Sequence, residues 1–174
     1  MIIETIIAAL WFVIPAYASN SFPVLVKGKK PIDFGKNFRG RRLLGDGKTI
    51  EGSIAGIIFG LFLGSIQVFY QHLIPMDWGL PLIEMTFPIV VLMVIGTILG
   101  DYVGSFIKRR IGIGRGGKAT GLDQLDFIVV SLLLVSIVFV PDLVTITIVI
   151  VATLIIHKLS NILGYILKLK KTPY

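Results

Sequence analysis

The chain has 174 residues, of which 55% are hydrophobic, with a mean hydropathy of +0.89 and a formal charge of +7. That is too apolar for a soluble domain of this length, and several apolar runs approach the roughly 20 residues that cross a hydrocarbon core of about 30 Å. The composition excludes an ordinary soluble protein, and the absence of cysteine excludes a disulfide framework and thiol chemistry.

The expected fold class is therefore an all-α integral membrane protein with one transmembrane domain over residues 1–174. In chain order, MIIETIIAALWFVIPAYA carries Glu4 as its one early charge. A secretory signal needs a basic segment before its apolar core, so residues 3–26 read as a retained span. Asn20 and Ser21, beside Pro23, are the expected place for a bend or cap. Further spans are expected at 52–74, 87–107, 127–140 and 143–167. The fourth is short for a crossing, and local thinning or burial among neighbours accommodates it. Its alternative is a re-entrant hairpin of the last two segments. Gly52, Gly56, Gly60 and Gly64 on the second span, and Gly96, Gly100 and Gly104 on the third, recur every fourth residue. Such faces let helices approach closely.

Charge fixes the expected orientation. All 17 Lys and Arg residues fall in the loop 27–48, the loop 108–118 or the C-terminal end from Lys158. With five transmembrane helices these regions share one side, which the positive-inside rule makes cytoplasmic. The expected arrangement puts the N-terminus outside and the C-terminus in the cytoplasm, with two basic cytoplasmic loops. The basic excess then needs no nucleic acid to explain it.

Topology does not explain the acids. Asp101 lies seven residues before Lys108, roughly 10 Å below the loop boundary at about 1.5 Å per residue. A carboxylate at that depth needs a partner, an ion or a wet cavity. The plain alternative is an internal salt bridge, for instance to Lys108. Asp101, Ser105 and Lys108 share a helical face. Asp123 and Asp126 share another, where the fourth span begins. Three carboxylates directed to one cavity suit Mg²⁺ beside substrate phosphates, although acids at a helix start are common for other reasons. The turn GRGGK, with Arg115, Gly116, Gly117 and Lys118, can fold backbone N–H groups around anions. GDGKTIEG, Gly45–Gly52, lacks the spacing and preceding strand of a P-loop, so a P-loop NTPase is excluded.

GDYVGSFIKRR, then GGKATGLDQLDF, resembles the signature of the membrane CTP:phosphatidate cytidylyltransferases. The resemblance is carried by Gly100, Asp101, Gly104, Ser105, Lys108, Arg109, Gly121, Leu122, Asp123 and Asp126. KTIEG, Lys48–Gly52, is similar to that family's K-x-x-E-G element. The chain departs from bacterial and eukaryotic members. It is shorter, lacks an acid soon after the basic pair and a His-Gly-Gly turn, and has Gln124 where they carry Arg. In these departures it resembles the archaeal branch, the CDP-archaeol synthases, over nearly its whole length. The resemblance implies a CTP-dependent nucleotidyltransferase in membrane phospholipid biosynthesis. Its substrates would be CTP and an isoprenoid ether-lipid phosphate, 2,3-bis-O-(geranylgeranyl)glycerol 1-phosphate, and its active site would face the cytoplasm.

The expected roles follow. Asp101, Asp123 and Asp126 would ligate Mg²⁺. Lys108, Arg109, Lys118 and Lys48 would contact phosphates, with Ser105, Gly116 and Gly117 beside them. Glu51 would ligate a metal or orient Lys48, against ordinary first-turn placement. Arg41, Arg42 and Asp46 are weaker candidates, and the arginines equally suit topology or anionic lipid. His157 is expected to be a buried, hydrogen-bonded histidine. The competing class is an ion-coupled small transporter or channel, since intramembrane acids also mark ion paths. Against it, polar residues cluster on one side of the spans, whereas a transport path needs access from both.

Overall fold

Pro15 divides the first apolar segment. In the computed structural model, which describes residues 2–26, 28–74, 80–114, 117, 119 and 121–168, α1 spans Ile2–Phe12 and α2 spans Ile14–Ser21. A 3-10 turn follows at Phe22–Leu25, and the two arms are bent by 50°. Proline has no N–H for the carbonyl four residues back, and its ring crowds that carbonyl. Here the carbonyl belongs to Trp11, and Gln67 Nε2 from the next helix donates to it at 2.7 Å. The expected single span 3–26 is thus a bent pair. Its break lies at Val13, set by Pro15, and not at Asn20 and Ser21.

Four more helices follow: α3 (Ile50–Tyr70), α4 (Phe87–Arg110), α5 (Leu122–Val135) and α6 (Leu143–Ile166). Thr49 Oγ1 caps α3 by accepting the Gly52 N–H at 3.2 Å. Asp142 caps α6, accepting the Val144 and Thr145 N–H groups at 2.9 and 3.0 Å. Among the described residues, α3, α4 and α6 are long and apolar enough to cross a membrane, and the bent pair makes a fourth candidate. The α5 helix differs from expectation. It starts at Leu122, ahead of Phe127, and its 14 residues span only about 21 Å. Helix formation reaches back over LDQLD because Gly121, at φ +87°, turns the chain just before it.

The two glycine faces serve different neighbours. A Cβ built on Gly56 would lie 2.6 Å from the Ser19 carbonyl oxygen, and one on Gly60 would lie 2.9 Å from Ser19 Cβ. Gly64 packs on Val90 of α4. On α4, a Cβ at Gly96 would sit 2.5 Å from Ser131 Cα, and one at Gly100 would sit 2.7 Å from Phe127 Cα. These close approaches bring α3 onto α2 and α4, and α4 onto α5. Thr97 Oγ1 and Ser131 Oγ, 2.8 Å apart, tie the α4–α5 seam. Phe12, Val13, Met93, Phe127 and Ile128 fill the core between them.

The first basic loop corrects the purely helical expectation. Strands β1 (Asn37–Phe38) and β2 (Arg41–Arg42) pair antiparallel. Arg39 and Gly40 between them both have positive φ, at +50° and +74°, as a tight two-residue hairpin turn requires. Asp33 organises this loop from a buried position. Its carboxylate accepts from Arg42 Nη2 at 2.8 Å and from the N–H groups of Gly35, Leu44 and Gly45 at 3.0, 3.0 and 2.9 Å. Burial alone would raise its pKa, but the guanidinium and the three N–H groups hold it well below the usual carboxylate range. Arg41 Nη1 donates to the Arg110 carbonyl at 2.7 Å. The hairpin is thereby docked on the C-terminal end of α4, where carbonyls lack helical partners.

Candidate active site

That docking carries Lys48 over α4. Its ammonium forms an ion pair with Asp101. The acid therefore has an internal salt bridge, but to Lys48 of the first loop and not to Lys108 farther along the same face of α4. Lys108 Nζ instead reaches Asp123 Oδ1 at 2.5 Å, joining the end of α4 to the start of α5. The other oxygen of Asp123 accepts the Ala119 N–H at 2.8 Å. Asp126 Oδ1 accepts the Phe127 N–H at 2.7 Å, and among the described residues Asp126 makes no ion pair. Gly104 makes room for it, since a Cβ there would collide with the Asp126 carboxylate.

These groups line one open cavity of about 650 Å³. Its charged walls are Asp46, Lys48, Asp101, Lys108, Arg109, Asp123 and Asp126, with Gly117 at the edge. Arg109 is braced, its Nε donating to the Leu44 carbonyl at 3.1 Å and its Nη1 to that of Ile113. Four further candidates stand off the cavity wall. Ser105 is buried within α4, at 1% exposure. Glu51 accepts the Lys30 backbone N–H at 3.2 Å, strapping the start of the first loop to the first turn of α3. Arg41 holds the end of α4, and Arg42 bridges Asp33 and Asp46, the latter at 2.5 Å. Gly116 and Lys118 lie outside the described residues.

His157, expected as a buried, hydrogen-bonded histidine, is half-buried, with its Nδ1 3.3 Å from Asn161 Nδ2. The sequence marks Asn20 only as a bend or cap, and it does not single out Ser19 or Asn161. All four line the charged cavity. The available signal was His157 and Asn161, imidazole- and amide-bearing residues at i and i+4 in a mostly apolar helix. A second cavity of about 430 Å³ lies between α2 and α6. Apolar side chains such as Phe22, Leu25, Phe59, Ile156 and Leu163 line it, and it shares Asn20, Val24, His157 and Asn161 with the charged cavity. Among the described residues no three Asp, Glu or His side chains are gathered as a ready metal shell. Lysines hold Asp101 and Asp123 instead.

The chain matches the family model described as CarS-like CDP-archaeol synthase over residues 2–174. The chain belongs to the CDP-archaeol synthase family. A CDP-archaeol synthase of Methanospirillum hungatei is 44% identical, over 92% of this chain and 99% of its own length. One from Pyrococcus horikoshii is 39% identical over the whole of both chains. A solved structure, described as an intramembrane enzyme for archaeal membrane lipids biosynthesis, superposes with a TM-score of 0.76. It is 33% identical and covers 90% of this chain and 94% of its own. Membership of the CDP-archaeol synthase family makes this chain an enzyme and a membrane protein of lipid biosynthesis, which removes the transporter reading.

Proposed function

We propose that the chain transfers the cytidylyl group of CTP to 2,3-bis-O-(geranylgeranyl)glycerol 1-phosphate. The products are CDP-activated unsaturated archaeol and pyrophosphate. The observation that carries this reading is the junction of the two cavities, one charged and one apolar, through four shared wall residues. A polar nucleotide and a phosphorylated lipid need such adjoining spaces to react. The substrate's chemistry otherwise follows that of the relatives, which bear the name CDP-archaeol synthase.

The lipid phosphate is its own nucleophile. A phosphate monoester has its second pKa at about 6, so it is largely dianionic at neutral pH and needs no dedicated base. The difficulty is bringing two polyanions together. The cavity holds four carboxylates, Asp46, Asp101, Asp123 and Asp126, against the three cations Lys48, Lys108 and Arg109. Left so, it would repel a triphosphate. The donor set fits Mg²⁺, a hard cation that takes one or two carboxylates and completes its shell with phosphates and water. A full protein cage is not required. Bound Mg²⁺ would neutralise phosphate charge and align the attacking and leaving oxygens.

Asp126, without a lysine partner among the described residues, is the first carboxylate for that role. Asp101 and Asp123 would also help to hold Mg²⁺, with Lys48 and Lys108, now paired to them, available to CTP phosphates. Arg109 and Lys118, with Gly116 and Gly117, would hold the departing pyrophosphate. Ser105 supports α4 behind the site. Glu51, Arg41, Arg42 and Asp46 keep Lys48 in position by fixing the first loop. The whole chain acts as one transmembrane catalytic unit with five crossings, its N-terminus outside and its site on the cytoplasmic side.

The test is turnover by purified protein with CTP, Mg²⁺ and the geranylgeranyl ether lipid phosphate, following the CDP-lipid by mass. Product that forms with Mg²⁺ and disappears with EDTA is the expected result. Folded protein that makes no product from this lipid or from ordinary phosphatidate would contradict the reading.

A further inference from the structure

Uncharged hydrogen-bonding side chains gather where the two cavities meet. Asn20 on α2 and His157 and Asn161 on α6 line both spaces. Ser19, next to Asn20, lines the charged one. None of these belongs to the lysine–carboxylate set, which comes from the first loop, α4 and α5. His157 and Asn161 stand one helical turn apart, with Asn161 Nδ2 and His157 Nδ1 separated by 3.3 Å. Ser19 adds an independent observation. It is 0% exposed, and its Oγ has no hydrogen-bond partner among the described residues. Buried hydroxyls are rarely left so unless a ligand or water meets them.

We propose that Ser19, Asn20, His157 and Asn161 form a polar collar that binds the glycerol phosphate portion of the lipid substrate. The collar sets how far the phosphate enters the charged cavity. This rests on the reaction proposed above. Ether and phosphate oxygens of such a lipid only accept hydrogen bonds. The collar offers a hydroxyl, two primary amides and an imidazole, all of which can donate. The carboxylates of the charged cavity, when ionised, cannot. Neutral donors also suit the boundary of an apolar groove, because they lose less on desolvation than lysine or arginine would. Above the collar, Phe22, Phe59 and Leu163 are placed to contact the hydrocarbon chains. The phosphate would thus be delivered at a fixed depth, while CTP is held by a different set of residues.

That separation gives the test. Michaelis constants for both substrates are measured in mixed micelles for the wild type and for Ser19→Ala, His157→Leu and His157→Gln. Thermal melting of each variant checks its fold. Loss of one donor should raise KM for the lipid phosphate about threefold to tenfold, with KM for CTP unchanged. His157→Gln, which keeps an amide donor, should recover most of the loss seen in His157→Leu. Unchanged lipid KM in Ser19→Ala, or an equal rise for both substrates, would overturn the collar and leave the reaction standing. Ser19→Ala decides the matter alone if the His157 variants fail to fold. Wild-type protein without turnover would overturn both proposals together.

Discussion

At the scale of single residues, the acids of this chain divide by what surrounds them. Asp33 is buried and satisfied by Arg42 and three backbone N–H groups. It is a structural carboxylate that holds the loop bearing Lys48. Its folded-state pKa is lowered, so its stabilisation is fully present above the unfolded value, about 3.9. It is lost as pH falls through the folded value. Asp33→Asn should therefore melt at a lower temperature than wild type at pH 7. The gap should narrow as both proteins are acidified below about pH 4, as read by thermal melts in detergent. A gap independent of pH would deny Asp33 that role. Asp126 is the opposite case, a cavity carboxylate with no lysine against it among the described residues. Sequence alone assigned the loop 27–48 and the start of the fourth span to one side of the membrane, and it singled out Asp126 by its motif. It could not show that Asp33 is consumed by backbone N–H groups, because those come from residues up to twelve positions away.

At the scale of elements, the α4–α5 seam couples packing to the site. Gly96, Gly100 and Gly104 all face α5, but only Gly104 faces a carboxylate. Gly104→Ala should push Asp126 aside and lower turnover by roughly a hundredfold, the scale of a misplacement near 1 Å. Gly96→Ala meets the Ser131 backbone instead. It should cost about 1–3 kcal/mol of stability by overpacking, with turnover per folded molecule largely kept. Turnover assays paired with thermal melts would separate the two, and equal losses of activity would contradict the assignment. The glycine spacing was legible in the sequence, as were four of the apolar segments to within a few residues. The partners of the stripes were not, because a one-dimensional period names a face and not its neighbour. Pro15 was visible too, but its effect depends on Gln67 arriving from α3 to satisfy the Trp11 carbonyl. The hairpin was missed because its two-residue strands are too short to show alternation, and the second is simply two arginines.

At the scale of the whole molecule, the account needs every basic region on one side of the membrane. The natural chain has no cysteine, so single introduced cysteines report sidedness cleanly. Lys36→Cys should react with an impermeant maleimide from the cytoplasmic side alone, and Asp142→Cys from the outside alone. Labelling of both from the same side would exclude the five-crossing arrangement and favour a re-entrant α5–α6 pair. The short α5 makes this a real test, since its helix alone falls short of a bilayer. The charge pattern carries only an expected orientation, which this labelling tests, whereas the joining of a charged cavity to an apolar one depends on the bend between α1 and α2 and the approach of α6. The central claim is that the carboxylate cluster of α4 and α5 carries the cytidylyl transfer. Turnover of CTP and the ether lipid phosphate by folded Asp126→Asn, beside wild type at saturating Mg²⁺, tests it most directly. The account predicts wild-type product and essentially none from the variant, with its melting temperature retained. Near-normal turnover by Asp126→Asn would contradict it.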